Sequence, residues 1–381
     1  MTTREDYTRP ETLDNGTTSL VPIEYVINPN PPNGYAPSTA KKSVIPAAFL
    51  LPTGYPDYMR LILTSRVYDV ATETPLTHAT NLSNRFKCTI LFKREDLQPV
   101  FSCKLRGICN KMAHLDRRNH WRGVVACSTG NHAQSVAYSA RHLKIPAIIV
   151  MPSGTSEFNQ KNVSRFGCSV VLHGSDLNAA RQEAARLGTL HRLVSIPSFD
   201  DPYMIAGQGT IGMEILRQAD LQNLTAVFCC IGGGELVAGV GIYIKRVAPH
   251  VKIVGVQHYD VNTMTTSLGT DKRTALTEAG LFANSASITV VGEETVRICR
   301  EVVDEVVQVT TDETYAAIKD MFEETHSVFE PAAALALAGL KKWVSRNPSP
   351  SCKRSLVAVA SGANIDFDYL RSVAEHAPTV T

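Results

Sequence analysis

The sequence predicts an α/β fold built on parallel sheets, and two observations lead to this prediction. From Tyr58 onward, short continuous apolar runs alternate with longer amphipathic stretches. Continuous apolar strands separated by helices are typical of a parallel sheet that is covered on both faces. The apolar runs are GVVACS, AIIVMP, SVVLHG, AVFCCIGGG, KIVGVQHY, EVVQVT and SLVAVASGAN, and the helical patterns include HAQSVAYSARHL, DLNAARQEAARL, GTIGMEILRQA and DETYAAIKDMFEETH.

The composition limits the class of partner. The 381 residues are 44% hydrophobic and 19% charged, which is typical of a globular chain with ample material for a core. The formal charge of +2 gives no electrostatic reason to expect nucleic acid or an anionic membrane as a partner. The nine cysteines include no CxxC pair, which favours free thiols over structural zinc. We therefore expect a small-molecule ligand and no metal.

The N-terminal segment differs from the rest of the chain. Residues 1–57 are rich in Pro, Asn, Thr and Gly, so we expect a flexible N-terminal arm. Early acidic residues and the lack of an apolar core argue against a secretory signal; the acids are Glu5, Asp6, Glu11 and Asp14. No apolar stretch reaches the ~18 residues of a membrane span. The cytoplasm is the expected location, with the mitochondrion as the alternative.

Polar residues follow the apolar run GVVACS, where a strand is expected to enter a helix. Ligands of open α/β sheets bind beyond the carboxyl ends of the strands, at such junctions. Backbone N–H groups at the start of the helix suit an anion such as a carboxylate. The residues at this junction are Ser128, Thr129, Gly130, Asn131 and His132.

Two further junctions carry residues of interest. Three consecutive glycines, Gly232–Gly234, allow the backbone to approach a phosphate closely, and the following helix adds its dipole. At a third junction, Ser361 ends a strand and is expected to point into the same crevice. None of these segments is a GxGxxG fingerprint or a G-K-[ST] P-loop, so binding of a dinucleotide or a nucleoside triphosphate is a poor interpretation.

Together and in this order, the segments resemble the fold-type II (tryptophan synthase β-like) pyridoxal-phosphate (PLP) enzymes. The likeness is greatest to the threonine dehydratases, especially the fungal biosynthetic ones, and it runs from about Tyr58 to the C-terminus. The matching segments are KREDLQPVFSCKLRG (93–107), STGNHAQ (128–134), DDPYMIAGQGTIGMEIL (200–216), GGGEL (232–236), FEPAAA (329–334) and SGAN (361–364).

The resemblance implies a role for each site residue. Lys104 would be the Schiff-base lysine that also moves protons at the substrate α-carbon. Asn131 would bind the phenolic oxygen of PLP, and Ser361 would face its ring nitrogen. The phosphate would bind to the loop that comprises Gly232, Gly233, Gly234, Glu235 and Leu236. The substrate carboxylate would bind to the loop that comprises Ser128, Thr129, Gly130, Asn131 and His132, with His132 expected to be structural.

The resemblance also implies two parallel-sheet, three-layer domains. Residues 58–122 and 201–381 would form a large PLP-binding domain, and residues 123–200 a small mobile domain that closes over the substrate. The implied reaction converts L-threonine into 2-oxobutanoate and ammonia, with L-serine, which would give pyruvate, as a second substrate. The likeness covers no regulatory domain, so feedback control by isoleucine is not expected. The resemblance also implies a homo-oligomer, as members of this family usually form.

Departures from the family pattern leave two alternatives open. Cys103 replaces the usual phenylalanine, and Gln257 replaces a glutamate that helps to bind a divalent cation in relatives. Thr129 replaces an alanine and offers a hydroxyl opposite the lysine, so the first alternative is a racemase or epimerase that uses Lys104 and Thr129. Glu235 replaces a glycine and would repel a phosphate. The second alternative is a catalytically weak partner of an active relative, and the changes together suggest a specialised-pathway paralogue.

Overall fold

Two β-sheets combined with helices organise the chain in the computed structural model, which describes residues 45–116, 121–270, 273–275, 288–348 and 353–376. The strands are β1 (Leu76–His78), β2 (Thr89–Arg94), β3 (Val124–Cys127), β4 (Ala147–Met151), β5 (Ser169–Leu172), β6 (Val194–Ser195), β7 (Leu224–Cys230), β8 (Lys252–His258), β9 (Glu305–Val309) and β10 (Ser355–Ala360). The large sheet has the order β1-β2-β10-β7-β8-β9, and the small sheet has the order β5-β4-β3-β6.

The α-helices alternate with the strands as the sequence predicts. They are α1 (Tyr58–Leu63), α2 (Thr80–Phe86), α3 (Lys104–Ala113), α4 (Asn131–Leu143), α5 (Glu157–Ser164), α6 (Leu177–His191), α7 (Pro202–Gln218), α8 (Glu235–Val247), α9 (Thr263–Gly269), α10 (Glu293–Val302), α11 (Thr311–Thr325), α12 (Pro331–Arg346) and α13 (Phe367–His376). In the described part of the chain, no helix is both long and apolar enough to cross a membrane.

The predicted α/β class is confirmed, and the first strand adds a detail to it. All strand pairs are parallel except β1 with β2, which pair antiparallel with Leu76 opposite Lys93. The connection between them, residues 79–88, is shorter than the crossover of a dozen or more residues that a parallel pair needs. The three residues of β1 are too few to show a hydrophobic period, so the sequence gives no signal for this edge strand.

The small sheet shows why its strands are continuously apolar. Successive side chains of a strand point to opposite faces. Val124 of β3 packs in a cluster with Val136 of α4, whereas its neighbour Val125 packs in another cluster with Ala184 of α6. Both faces of this sheet are therefore covered by a helix, as expected for a buried parallel sheet.

The predicted domain boundaries relate to the two sheets as follows. The four strands of the small sheet lie within residues 124–195, and the six strands of the large sheet lie outside that range. The boundaries near residues 122 and 200, and the mobility of the small domain, stay predictions. Of the predicted N-terminal arm, residues 1–44 lie outside the described residues. Residues 45–57 include a 3-10 turn at Ala47–Phe49 and a bridge between Leu50 and Pro56.

The segment that joins the two sheets is fixed by a helix cap. It leaves β6 and ends at Asp201, the N-cap of α7, whose carboxylate accepts hydrogen bonds from the N–H groups of Tyr203 and Met204 at 3.0 and 3.3 Å. Pro202 occupies the first helical position, where its missing N–H costs nothing. Such a cap stabilises a helix by about 1 kcal/mol. Just before this cap, the Phe199 side chain lies against Gly233 in the loop that follows β7.

Candidate active site

One cavity lies where the carboxyl ends of β7 and β10 meet the starts of α3 and α4. Its lining includes all eight residues that the sequence predicts to bind a cofactor, namely Lys104, Asn131, Gly232, Gly233, Gly234, Glu235, Leu236 and Ser361. Ser102, Cys103, Cys230, Glu330 and Ala332 complete the lining. The fold thus brings together segments from five separate parts of the sequence, as expected for ligand sites in α/β folds.

Lys104 is the first residue of α3 and extends into this cavity. Its Nζ donates a hydrogen bond to the backbone oxygen of Ser198 at 3.1 Å. The start of α3 is held by the backbone N–H of Cys103, which donates to the oxygen of Ser361 at 2.9 Å. It is also held by Nε2 of Gln208, which donates to the oxygen of Cys103 at 3.1 Å. The helix start that carries the lysine is therefore held by hydrogen bonds to the end of β10 and to α7.

The glycine loop follows β7 and precedes α8. Gly234 has a φ of +96°, a conformation that glycine adopts without strain. The backbone oxygen of Gly233 accepts a hydrogen bond from the Thr295 hydroxyl at 2.8 Å, and the Phe199 side chain packs directly on its Cα. The loop is therefore held in one conformation at the positive end of a helix, an arrangement that suits a phosphate.

Glu235 is the first residue of α8 and only 5% exposed. Its carboxylate forms an ion pair with the Lys104 ammonium. Burial lowers the pKa of Lys104, but the Glu235 carboxylate outweighs burial, and the pKa is raised overall. The carboxylate that the sequence predicts to repel a phosphate therefore has a compensating positive charge beside it. The positive φ of the loop falls on Gly234, so Glu235 needs no left-handed backbone.

Asn131 is the first residue of α4, and both the nitrogen and the oxygen of its side-chain amide are hydrogen-bonded. Its Nδ2 donates to both oxygens of Glu330, at 2.8 and 3.0 Å, and its Oδ1 accepts from Nδ2 of Asn364 at 2.7 Å. These contacts fix which amide atom is the donor and where it points. The group predicted to bind a cofactor oxygen is therefore oriented by the protein itself.

Ser361 follows β10 and is buried at 4% exposure. Its hydroxyl lies 3.4 Å from the sulfur of Cys230, which ends β7. Burial raises the pKa of the Cys230 thiol to about 11, so this neighbour is neutral. Neither the Ser361 hydroxyl nor the Cys230 thiol therefore adds a formal charge to the cavity. The predicted role of Ser361 at the ring nitrogen stays a prediction.

The residues of the predicted substrate loop differ in how deeply they are buried. Ser128, Thr129 and Gly130 are half-buried and stand outside the lining of the cavity, while Asn131 lies inside it. His132 is buried, with Nε2 3.2 Å from the backbone oxygen of Ile196. Burial and the nearby Lys104 lower the pKa of His132 to about 3, so the imidazole is neutral. This placement suits the structural role expected for it.

Three contributors to the site were not predicted as site residues. Glu330 lies in the matched segment FEPAAA, so the motif could have pointed to it, although its contact with Asn131 joins positions 199 apart. Ser198 contributes only a backbone oxygen, for which its residue type gives no signal. Asn364 lies in SGAN and holds Asn131. In that segment, only Ser361 was predicted as a site residue.

Substitution of Gly233 by alanine is expected to destabilise the loop by about 1–3 kcal/mol, because an added Cβ overpacks a filled site. That Cβ would lie 2.6 Å from Cβ of Phe199. Chemical denaturation of the variant measures the change. Gly154→Ala is the matched control, since no atom lies within 4 Å of its added Cβ. Equal unfolding midpoints for the two variants would show that Phe199 moves aside freely.

The comparisons with known proteins agree with this geometry. The family model described as pyridoxal-phosphate dependent enzyme matches residues 67–362. The chain is 63% identical to a threonine dehydratase-like protein of Alternaria alternata over 333 residues, which cover 87% of this chain and 81% of the relative. It is 51% identical to the mitochondrial threonine dehydratase of Schizosaccharomyces pombe, covering 90% of this chain but 58% of that relative. The chain thus spans less than two thirds of some relatives.

A solved structure shares the architecture. The processed form of threonine deaminase isoform 2 from Solanum lycopersicum superimposes with a TM-score of 0.82 at 40% sequence identity. The match covers 90% of this chain and 99% of that one. The motif order, the cavity and the overall fold therefore agree with one another. The chain belongs to the fold-type II pyridoxal-phosphate dependent enzymes and, within them, to the threonine dehydratase family.

Proposed function

We propose that this chain is an ammonia-lyase that converts L-threonine into 2-oxobutanoate and ammonia, and accepts L-serine as a second substrate. The observation that carries the proposal is the position of Lys104, whose amine lies in one cavity with a glycine loop at a helix start and an oriented asparagine. The relatives at 51–63% identity carry threonine dehydratase in their names, which supports the same reaction here.

The residues of the cavity fit PLP in three respects. An amine, a glycine loop at a helix N-terminus and a buried hydroxyl at a strand end suit its aldehyde, its phosphate and its ring nitrogen. Lys104, the loop Gly232–Gly234 and Ser361 would hold these groups, and Asn131 would hydrogen-bond the phenolic oxygen. When bound, PLP supplies an electron sink for negative charge at the substrate α-carbon. The one residue that fits less well is Glu235.

Lys104 is the group that moves protons in this proposal. Its amine accepts the proton of the substrate α-carbon, and a proton is returned to the β-hydroxyl, which leaves as water. The side chain is 16% exposed, so little bulk water competes at the reacting carbon. Asn131, held by Glu330, keeps its amide in a fixed orientation during these steps. A neutral Ser361 hydroxyl at the ring nitrogen would leave PLP a mild electron sink, which suits elimination.

The substrate carboxylate would bind at the start of α4. Ser128, Thr129 and Gly130 are half-buried, so they remain accessible to a substrate, and helix N–H groups suit an anion. This loop follows β3 of the small sheet, whereas Lys104 and the glycine loop belong to elements outside it. Closure of a mobile small domain, residues 123–200, over the large domain would therefore bring the substrate carboxylate to the lysine.

The test is incubation of the purified, PLP-loaded protein with L-threonine in D₂O, followed by proton NMR. We expect the signals of 2-oxobutanoate to appear with time, and an ammonia assay to rise in parallel. The same incubation with L-serine should give pyruvate. An unchanged spectrum would contradict the proposed function and favour a catalytically weak partner of an active relative.

A second candidate function, racemisation or epimerisation, rests on the hydroxyl of Thr129. This residue lies two positions before Asn131 at the accessible start of α4. If it protonates the α-carbon from the face opposite Lys104, Thr129→Ala should remove epimerisation and spare elimination. Loss of the α-proton signal in D₂O without oxo acid, or new diastereomer peaks, would favour this candidate. Unchanged rates in Thr129→Ala would exclude it.

Three broader expectations belong to the same proposal. A homo-oligomer is expected, and light scattering of the purified protein measures its mass. The cytoplasm is the expected location, with the mitochondrion as the alternative; the yeast relative is named mitochondrial, and imaging of the tagged chain distinguishes the two. A role in a specialised pathway rests on the departures at Thr129, Glu235 and Gln257. In the structure, the side-chain oxygen of Gln257 accepts hydrogen bonds from the N–H and the hydroxyl of Thr265, both at 3.0 Å.

A further inference from the structure

The carboxylate of Glu235 and the ammonium of Lys104 form an ion pair inside the cavity, with exposed fractions of 7% and 16%. The pair joins residues that lie 131 positions apart in the sequence. It therefore links the lysine directly to the helix that carries the glycine loop. One side chain therefore engages the amine that PLP would need, and it belongs to the first residue of α8, directly after the glycine loop.

We propose that Glu235 sets the cofactor affinity of this chain, because its carboxylate competes with PLP for the Lys104 amine and places a negative charge beside the glycine loop that would hold the phosphate. Binding then requires that the ion pair opens. This inference rests on the proposed function, in that PLP is taken as the ligand of the same cavity. It assigns to Glu235 a role as a determinant of affinity and of its pH dependence.

The first part of the competition concerns the amine. Only a neutral amine condenses with the cofactor aldehyde; a C=N bond forms, and the aldehyde oxygen leaves as water with the two amine hydrogens. The Glu235 carboxylate favours the charged ammonium of Lys104 and holds its pKa above the ordinary value. Each unit by which this pKa exceeds the working pH reduces the neutral fraction about tenfold. Affinity should therefore rise with pH.

Glu235 is the dominant charged neighbour of Lys104 in this respect. Burial raises the pKa of the two nearby thiols, and the pKa of the nearby imidazole is lowered to about 3, so these three groups stay neutral. The remaining carboxylate of the lining is hydrogen-bonded to Asn131. The groups concerned are Cys103, Cys230, His132 and Glu330.

The second part of the competition concerns the phosphate. Backbone N–H groups at the start of α8 and the helix dipole favour a negative group there. The Glu235 carboxylate already supplies that negative charge next to the loop, and it would repel a phosphate dianion in the same place. The carboxylate is buried, so solvent screens this repulsion weakly.

The backbone at position 235 does not require glycine, so the effect of the charge can be tested separately from the effect of the side-chain shape. Glu235 lies within α8, and the left-handed position is occupied by Gly234. An uncharged side chain at position 235 can therefore keep the backbone unchanged. Glu235→Gln removes the charge and keeps the shape, while Glu235→Gly removes both.

The experiment compares the wild-type protein, Glu235→Gln and Glu235→Gly, each freed of cofactor and titrated with PLP or with pyridoxal. Binding is followed by the visible absorbance of the bound cofactor and by quenching of protein fluorescence, across a range of pH around neutrality. Pyridoxal lacks the phosphate, so it reports on the amine alone. Circular dichroism checks that each variant is folded.

Both variants are expected to bind PLP about tenfold more tightly or better at neutral pH, the factor that corresponds to one pKa unit. The gain should shrink as the pH passes the lower lysine pKa of the variants, because their amine is then already neutral while the neutral fraction of the wild-type amine still rises. The gain should also be smaller for pyridoxal than for PLP, because only PLP carries the repelled phosphate. A tighter Glu235→Gln variant would by itself exclude an explanation through glycine.

Equal affinities for all three proteins at every pH would overturn the inference. Tighter binding by Glu235→Gly alone would also overturn it, since shape rather than charge would then be responsible. The proposed function is scored separately by oxo acid formation. A protein that binds PLP as expected but leaves threonine unchanged would refute that function and leave the role of Glu235 intact.

Discussion

Lys104→Ala is expected to abolish the formation of 2-oxobutanoate from L-threonine. In the proposed function, the amine of this residue carries the proton and would be the attachment point of the cofactor. Loss of a positioned acid–base group alone costs about 10²–10⁴-fold in rate. The measurement is oxo acid formation at saturating threonine and PLP, together with the visible absorbance of the protein. Both signals should disappear together.

Two further variants control this experiment. Lys104→Arg keeps a positive charge beside Glu235 but cannot condense with an aldehyde, so it should be equally inactive without leaving the carboxylate unpaired. Lys161→Ala removes a lysine whose side chain is 73% exposed and should keep full activity. If Lys104→Ala retained activity within tenfold of the wild type, the assignment of this lysine, and the proposed chemistry with it, would be wrong.

The alternation of strands and helices was enough to predict the fold class and part of the cavity. Asn131, Gly232–Gly234 and Ser361 lie at three separate junctions, and the rule that loops at the carboxyl ends of parallel strands share one crevice brings them together. Lys104 was placed with them only by the family resemblance. That rule depends only on strand direction, which the apolar runs reveal. It does not depend on how individual side chains point, so it works without any structure.

The strand-end rule does not predict which side chains contact one another within the cavity. The pairing of Glu235 with Lys104 depends on the direction of one side chain at the first turn of α8. The sequence indicated only that a carboxylate near a phosphate needs compensation, and it left several ways open. The contact between Glu330 and Asn131 likewise depends on the relative position of α4 and α12. Neither distance follows from local pattern.

Local pattern also gives no signal for the burial of charged residues near the lysine. Lys93 and Glu95 of the segment KREDL are fully buried. They are buried because two residues from other helices, Arg106 of α3 and Glu214 of α7, complete a balanced cluster with them. A single charge cannot be buried cheaply, so burial of each member depends on the other three. Sequence reasoning treats residues one at a time and misses this.

Arg106 is the centre of that cluster, and its side chain makes hydrogen bonds to two carboxylates. It donates to Glu95 at 2.7 and 2.8 Å and to Glu214 at 2.6 and 2.8 Å. Lys93 donates to the same Glu214 carboxylate at 2.6 Å. All four charged side chains of the ion pairs are 0% exposed. Arg106 lies two residues after Lys104 in α3, so the cluster also fixes the helix that carries the lysine.

Arg106→Met is expected to destabilise the protein by about 3–5 kcal/mol, because it leaves buried carboxylates without their partner. Chemical denaturation at neutral pH measures the change in the free energy of unfolding. Arg186→Met is the matched control, since Arg186 pairs with Glu183 on the surface and is 60% exposed. That variant should unfold almost as the wild type does. Similar midpoints for both variants would contradict a structural role for the buried cluster.

The pH dependence of the Arg106→Met effect provides a sharper test. Burial raises the pKa of Glu214, but Arg106 and Lys93 outweigh burial and hold it below the ordinary value of 4.5. In the wild type this contribution to stability is present above pH 4.5 and is lost as the pH falls through the lower, folded value. Without Arg106 the Glu214 carboxyl can take up a proton inside the fold at higher pH. The difference between the two proteins should therefore shrink on acidification, whereas a defect caused only by lost packing would stay constant.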